Sequence, residues 1–242
     1  GRETLCVKGQ KLLGLDLDGG YADAFVLPAS LVCRLPVEVS FEEASVAACV
    51  LGATFSSVRD KCRVGLGDDV LITGAGGGLG VHAIQVARLC GGRVIAVTST
   101  EAKADFLREL GAHEVVVSPD LNFSQAVRRL TDGKGVDVVI ENLGSTTFPA
   151  SLKSIANGGR LVFVGEMTGN PVALNPAVAI LKEITMFASQ NATMELLSEI
   201  LGLVAQKRIR PVVTERFPLS DAGRVHQLLM DRKTVGRVVL TP

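Results

Sequence analysis

An α/β fold built on a doubly wound parallel sheet is what this 242-residue sequence predicts, and three observations carry that expectation. Short apolar runs alternate with helix-period segments from about residue 70 to residue 188. A cluster of glycines, Gly74, Gly76, Gly77, Gly78 and Gly80, separates the first of those runs from the first of those helices. At 47% hydrophobic residues, the chain has apolar surface enough for a sizeable core.

Taken in order, residues 1–38 look like the end of a domain: Gly19 and Gly20 mark a turn, and residues 21–27 read as a strand. In residues 37–58, Ser40 is placed to cap a helix whose first turn carries Glu42 and Glu43, the charge a helix N-terminus favours. Gly52 is expected to interrupt that helix. Val70, Leu71 and Ile72 suit a parallel strand buried on both faces. After the glycines, apolar residues at 79, 83, 86, 87 and 90 keep to one helical face. Further strands are expected at 93–97, 114–117, 136–140, 160–164 and 184–188, with helices at 101–110, 123–130, 147–155 and 176–181 between them. Such alternation means right-handed crossovers and six parallel strands. The tail changes pattern, with a helix at 194–206, extended chain at 211–217, a helix at 220–230 and a last strand at 236–240.

Bulk properties exclude several classes of partner. Twenty-five basic residues balance 25 acidic ones with no block of like charge, so no nucleic-acid partner is expected. No apolar run reaches the roughly 18 to 20 residues that a membrane span needs. The first ten residues lack the apolar core of a signal peptide, and a cytoplasmic protein is expected. Cysteines at 6, 33, 49, 62 and 90 have the spacing of neither a disulfide framework nor a complete metal site, and read as reduced thiols. His82, His113 and His226 form no triad or metal set and read as structural or solvated.

The glycine cluster carries the chemistry. Ala75, Gly77 and Gly80 fall on the G-x-G-x-x-G spacing with alanine in the first place. There a tight turn brings the backbone close to a pyrophosphate, and the N–H groups of Gly78, Leu79 and Gly80 at the helix start face the anion. The strand ends at 142–144 and 164–165, with Asn142, Val164 and Gly165, are expected to line the ribose and nicotinamide, because ligands bind outside the carboxyl ends of such strands; simple turn chemistry is the other account of Asn142. Thr98 stands at the tip of the second strand, where an acidic residue would take a ribose 2′-hydroxyl. Thr98 and Ser99 offer hydroxyls and Lys103 a point charge, so NADP is expected in preference to NAD. A capping box between Thr98 and Glu101, with Lys103 on the helix surface, is the competing local reading, and Glu101 turned to the ribose would instead favour NAD. Glu166 reads as an ordinary edge carboxylate.

With these residues in view, the segments ETLC, DGGYADAF, AACVLGATF, TGAGGGLG, LRELGAHEVV, VIENLG, GGRLVFVG, RIRPVV and VGRVVL, in that order, resemble the medium-chain dehydrogenase/reductase superfamily across essentially the whole chain. Within it they look most like NADPH-dependent acryloyl-CoA and quinone-type reductases. The resemblance implies a Rossmann domain at 39–190, preceded by the remnant of a GroES-like catalytic domain at 1–38 that residues 191–242 complete, in a chain truncated at its N-terminus. It implies hydride transfer between nicotinamide and a carbonyl or an activated C=C bond of a small molecule, and a homodimer paired through the sheet's edge strand at 184–188, with an edge covered by the helix at 194–206 as the alternative. It also suggests that Thr54 faces the nicotinamide, with helix capping as the alternative. Zinc would bind only if the missing segment supplied ligands: Cys6 and Cys49 are at most remnants of zinc sites, and burial as a small apolar side chain is the better expectation for Cys49. A zinc-dependent alcohol dehydrogenase and a catalytically silent NADP-binding module are the alternatives. The short-chain dehydrogenase pattern fails, because the tyrosine it requires would lie downstream of the glycines, whereas Tyr21 lies upstream with Phe25 four residues on.

Overall fold

A computed structural model describes residues 11–190 and 192–242. The chain forms two compact units, Ala53–Gln190 on the one hand and Gly1–Gly52 with Asn191–Pro242 on the other. The first boundary thus falls at Gly52, where the sequence suggested residue 38.

The unit Ala53–Gln190 is the doubly wound sheet. Its strands are β1 (Asp69–Ile72), β2 (Arg93–Thr98), β3 (Glu114–Val117), β4 (Val136–Glu141), β5 (Ile155–Phe163) and β6 (Thr185–Ala188), in the spatial order β3-β2-β1-β4-β5-β6. Every neighbouring pair is parallel. The order reverses between β1 and β4, so the switch point lies at their tips. Helices α3 (Gly78–Leu89), α4 (Ala104–Glu109), α5 (Ser124–Leu130), α6 (Phe148–Ser154) and α7 (Pro176–Lys182) connect the strands. Leu71, Ile95, Val97, Val139 and Leu161 point to one face and pack in one core with Phe123, Val127 and Phe148. On the other, α3 packs against β1 and β2. Because both faces are covered, the central strands read as unbroken apolar runs, which is why the sequence exposed them.

β5 starts at Ile155, five residues before the expected strand at 160–164. Ile155 pairs with Val136, the register then shifts, and Arg160 pairs with Val138; Gly158, at φ +73°, sits in that irregularity. At the opposite end of the sheet from the switch point, Arg160 donates to Asp68 Oδ1 at 2.6 Å and to the Cys62 carbonyl at 2.6 Å.

The other unit holds α1 (Phe41–Ser45), whose expected cap is a full capping box: the Glu43 N–H donates to Ser40 Oγ at 3.2 Å, and the Ser40 N–H donates to the Glu43 carboxylate at 2.9 Å. Gly52 does not interrupt the helical backbone. It is helical at φ −58° and ψ −51° and opens α2 (Gly52–Phe55), between two π-helical segments, Ala47–Leu51 and Ser56–Lys61. A Cβ at Gly52 would run into Ala192, so close approach is the reason for this glycine. Residues 21–27 are irregular instead of extended in a sheet, and Val26 is 98% exposed; among the described residues no strand pairs with them, and a strand without a partner has no ladder to hold it. Helix α8 (Met194–Ala205) is capped by Thr193. Strand β7 (Val213–Pro218), helix α9 (Ala222–Met230) and strand β8 (Arg237–Thr241) make a parallel βαβ unit.

Candidate nucleotide-binding site

The tip of β1 is held from both sides. Thr73 N–H donates to the Ile140 carbonyl at 3.2 Å, and Ala75 N–H donates to the Val97 carbonyl at 2.9 Å, so the glycine turn hangs between β4 and β2. Gly74, at φ +56°, takes the left-handed conformation that reverses the chain, and the Gly77 N–H closes the turn on the Gly74 carbonyl at 3.0 Å. Ala75 is fully buried with its methyl accommodated, which is why alanine can stand in the first place of the motif. Gly80 tolerates no such addition: a Cβ there would lie 2.6 Å from the Ala75 carbonyl carbon.

Gly77 is the N-cap of α3 and supplies no side-chain acceptor. The first N–H groups of the helix, including those of Gly78, Leu79 and Gly80, have no intrahelical partner by geometry. Gly77 is exposed and Gly78 and Leu79 are half-buried, so this end of the helix is open to an anion. His82, one turn on, is buried with Nδ1 2.6 Å from the Gly78 carbonyl, a structural placement as the sequence suggested.

The turn is crossed by Lys103. A Cβ on Gly76 would lie 2.6 Å from Lys103 Cδ, so the lysine stem runs over the glycine turn and not along an outer helix face. The competing capping box does not form: Thr100, not Thr98, is the N-cap of the 3-10 turn Glu101–Lys103, and it makes no side-chain cap bond. Thr98 is buried, with its hydroxyl 3.5 Å from the Thr100 N–H, and Ser99 is half-buried.

Across the switch point, the residues after β4 are braced by two carboxylates. Glu141, fully buried, accepts from the Thr73 hydroxyl at 2.6 Å, the Thr147 hydroxyl at 2.6 Å, the Leu143 N–H at 3.0 Å, the Gly144 N–H at 3.2 Å and the Ser151 hydroxyl. A buried carboxylate is tolerated only with such a set of donors. Asn142 donates its backbone N–H to the Thr73 hydroxyl at 2.9 Å and its side-chain amide to the Thr73 carbonyl at 2.8 Å. The Val164 N–H donates to the Glu141 carbonyl at 2.9 Å, and a Cβ on Gly165 would strike the Asn142 carbonyl, so the tips of β4 and β5 meet at these residues. Sequence reading passed over Glu141, although an acidic residue closing an apolar strand was a visible signal.

Glu166 is not an ordinary edge carboxylate. It accepts from Ser145 N–H at 2.8 Å, Ser145 hydroxyl at 2.7 Å, Thr168 N–H at 2.9 Å and Gly169 N–H at 3.0 Å, clasping the turns after β4 and β5 together. The Thr168 N–H first, then the Ser145 donors, hold its pKa down at about 2, against an ordinary value of 4.5.

Thr54 is buried inside α2 and accepts the Ser57 hydroxyl on its carbonyl, so it is not a cap. Cys49 is exposed, contrary to expectation, because Ala47, Val50 and Leu51 take the buried positions of that segment. Among the described residues no three His, Cys, Asp or Glu side chains come together to hold a metal, and Cys6 lies outside the described residues. The donor set of the described residues does not fit zinc. Also among the described residues, no helix is long and apolar enough to cross a membrane.

A doubly wound sheet with an open glycine turn at its switch point defines a dinucleotide-binding fold. The family model described as zinc-binding dehydrogenase matches residues 78–206, just over half of the chain, and the chain belongs to the medium-chain dehydrogenase/reductase superfamily, as its motifs suggested. It is 33% identical to the acryloyl-coenzyme A reductase of Metallosphaera sedula over 93% of its own length, and spans 66% of that enzyme. It superimposes on an NAD-dependent alcohol dehydrogenase with a TM-score of 0.92 at 37% identity, covering 99% of this chain and 69% of that one. It superimposes on a mycobacterial protein complexed with NADPH with a TM-score of 0.82 at 34% identity, covering 93% and 72% respectively.

The Glu166 clasp has a definite pH signature. Its folded pKa is depressed, so its stabilising contribution is complete above the ordinary value of 4.5 and is lost as pH falls toward about 2. Thermal melts of wild type and Glu166→Gln should therefore differ at pH 6 and converge between about pH 4.5 and pH 2; a constant difference across that range would contradict the clasp.

Proposed function

We propose that this chain carries the cofactor half of an NADP-dependent oxidoreductase that passes hydride between the nicotinamide and a carbonyl or an activated C=C bond of a small molecule. The observation that carries the NADP assignment is Lys103 lying over Gly76 with no carboxylate at the Thr98 tip. A carboxylate there would repel a 2′-phosphate, whereas two hydroxyls and an ammonium attract it. The similarity to an NADPH complex supports this choice, and the similarity to an NAD-dependent enzyme makes a direct test necessary.

The residues fit such a group. The unpartnered N–H groups at the start of α3 would take the pyrophosphate, and the close packing at Gly80 keeps side chains out of its place. Thr98, Ser99 and Lys103 would hold the 2′-phosphate. Asn142, Val164 and Gly165 would line the nicotinamide riboside, and Thr54 would face the ring. When bound, the nicotinamide supplies or accepts the hydride, while this chain orients it and excludes water.

Fluorescence titration of the wild type and Lys103→Ala with NADPH and NADH tests the assignment. NADPH should bind at least tenfold more tightly than NADH, and the substitution should weaken NADPH by about tenfold, or ~1.4 kcal/mol, with NADH unchanged. Equal affinities for the two cofactors, or no loss in the variant, would sink it.

In the same reading two copies pair through β6, the edge strand of the sheet. It leaves one side unpaired among the described residues, and the adjoining Ile180 and Leu181 are 71% and 81% exposed. Sedimentation at micromolar concentration should give a dimer; a monomer would overturn the pairing.

A further inference from the structure

One buried polar atom at the switch point has no partner. Asn142 is 7% exposed, and its Oδ1 accepts no hydrogen bond from any described residue. A buried acceptor left unmatched is costly, and in native proteins the great majority are paired. The amide is not free to turn and cure this. Its Nδ2 is fixed on the Thr73 carbonyl at 2.8 Å and its backbone N–H on the Thr73 hydroxyl at 2.9 Å. The Thr73 hydroxyl is in turn fixed on Glu141 at 2.6 Å.

Glu141 leaves the following turn little freedom. Five donors converge on its carboxylate, two of them the N–H groups of Leu143 and Gly144. From outside, Glu166 holds Ser145. Leu143 in turn covers Gly74, where a Cβ would meet Leu143 Cδ2 at 2.9 Å. The orphan Oδ1 thus belongs to a braced segment at the tip of β4, next to the tip of β1, the end of the sheet at which a doubly wound fold receives its ligand.

We infer that Asn142 Oδ1 accepts a hydrogen bond from a donor on the nicotinamide riboside half of the cofactor, a carboxamide N–H or a ribose O–H, and that Glu141 is the positioning residue that aims it. This rests on the cofactor reading above. It goes beyond lining by naming the atom, the polarity of the bond and the half of the ligand: β4 begins the half of the sheet that turns away from β1, β2 and β3, which carry the glycine turn and the Thr98 tip. A hydrogen-bond donor is required there, so a ligand lacking one at that position gains nothing from Asn142.

Calorimetric titrations of the whole chain with NADPH and with adenosine 2′,5′-bisphosphate, which lacks the nicotinamide riboside, test this. Asn142→Leu should weaken NADPH by about tenfold and leave the bisphosphate within about twofold of wild type. Glu141→Gln, which keeps the volume, should show the same selective loss, and it serves as the second variant should Asn142→Leu fold poorly. The 3-acetylpyridine analogue of NADP, which has no amide N–H, separates the two donors: a loss in Asn142→Leu as large as with NADPH assigns the ribose hydroxyl, and a smaller one the carboxamide. Unchanged NADPH affinity in both folded variants, or an equal loss for NADPH and the bisphosphate, would overturn the inference while the cofactor reading stands. Wild type that binds neither ligand would overturn both.

Discussion

The close approach of α3 to the turn after β1 is the constraint from which the site follows. Gly80 lies so near the Ala75 backbone that no side chain fits between them, and this proximity sets where the helix begins relative to the sheet. With Gly77 as a cap that has no side chain, the first N–H groups of α3 point past the strand tips without a local acceptor. A larger residue at position 80 would push the helix away and move those donors. Because Gly76 has no side chain either, Lys103, from the turn after β2, can lie across it.

The other half of the switch point is built differently. After β4 a single left-handed glycine, Gly144 at φ +65°, is combined with a buried carboxylate that gathers the backbone there. Glu141 draws the residues after β4 inward, and Glu166 holds Ser145 to the turn after β5 from the exposed side. Burying Glu141 costs desolvation that its five hydrogen bonds offset, which makes the segment stiff and intolerant of change. The glycine-turn side of the crevice is thus shaped mainly by missing side chains, and the other adds side-chain hydrogen bonds to the close approaches at Gly144 and Gly165. Such a division suits a site that takes a bulky anion on one side and a flat, polar ring on the other.

Much of the sheet was legible in the sequence because its strands are buried on both faces: Val70 to Ile72 and Val138 to Ile140 are uninterrupted apolar runs. The glycine turn was legible as a local cluster, and Gly74, Gly76 and Gly80 each have a separate steric reason: a left-handed φ, the Lys103 stem and the Ala75 backbone. What escaped depends on contacts between residues distant in sequence. Residues 21–27 carry a strand-like pattern but find no partner among the described residues, and Gly52 reads as a helix breaker although Ala192 is what requires it. Cys49 reads as a small buried residue, yet its neighbours occupy the interior. The roles of Glu141 and Glu166 escaped because their donors, hydroxyls from Thr73, Thr147, Ser151 and Ser145 together with backbone N–H groups of the turns, are brought to them only by the fold. Lys103 stood on a predicted helix, and nothing local placed its stem over Gly76, 27 positions earlier.

Amide hydrogen exchange of the whole chain with and without saturating NADPH tests the central claim most directly, because it reports where along the chain the ligand acts. Four strand tips forming one dinucleotide site predict slowed exchange in the segments around 76–80, 98–103, 142–145 and 164–166, with little change at the opposite ends of the same strands. Protection confined to the unit Gly1–Gly52 with Asn191–Pro242, or absent from both the glycine turn and the segment after Glu141, would contradict the account.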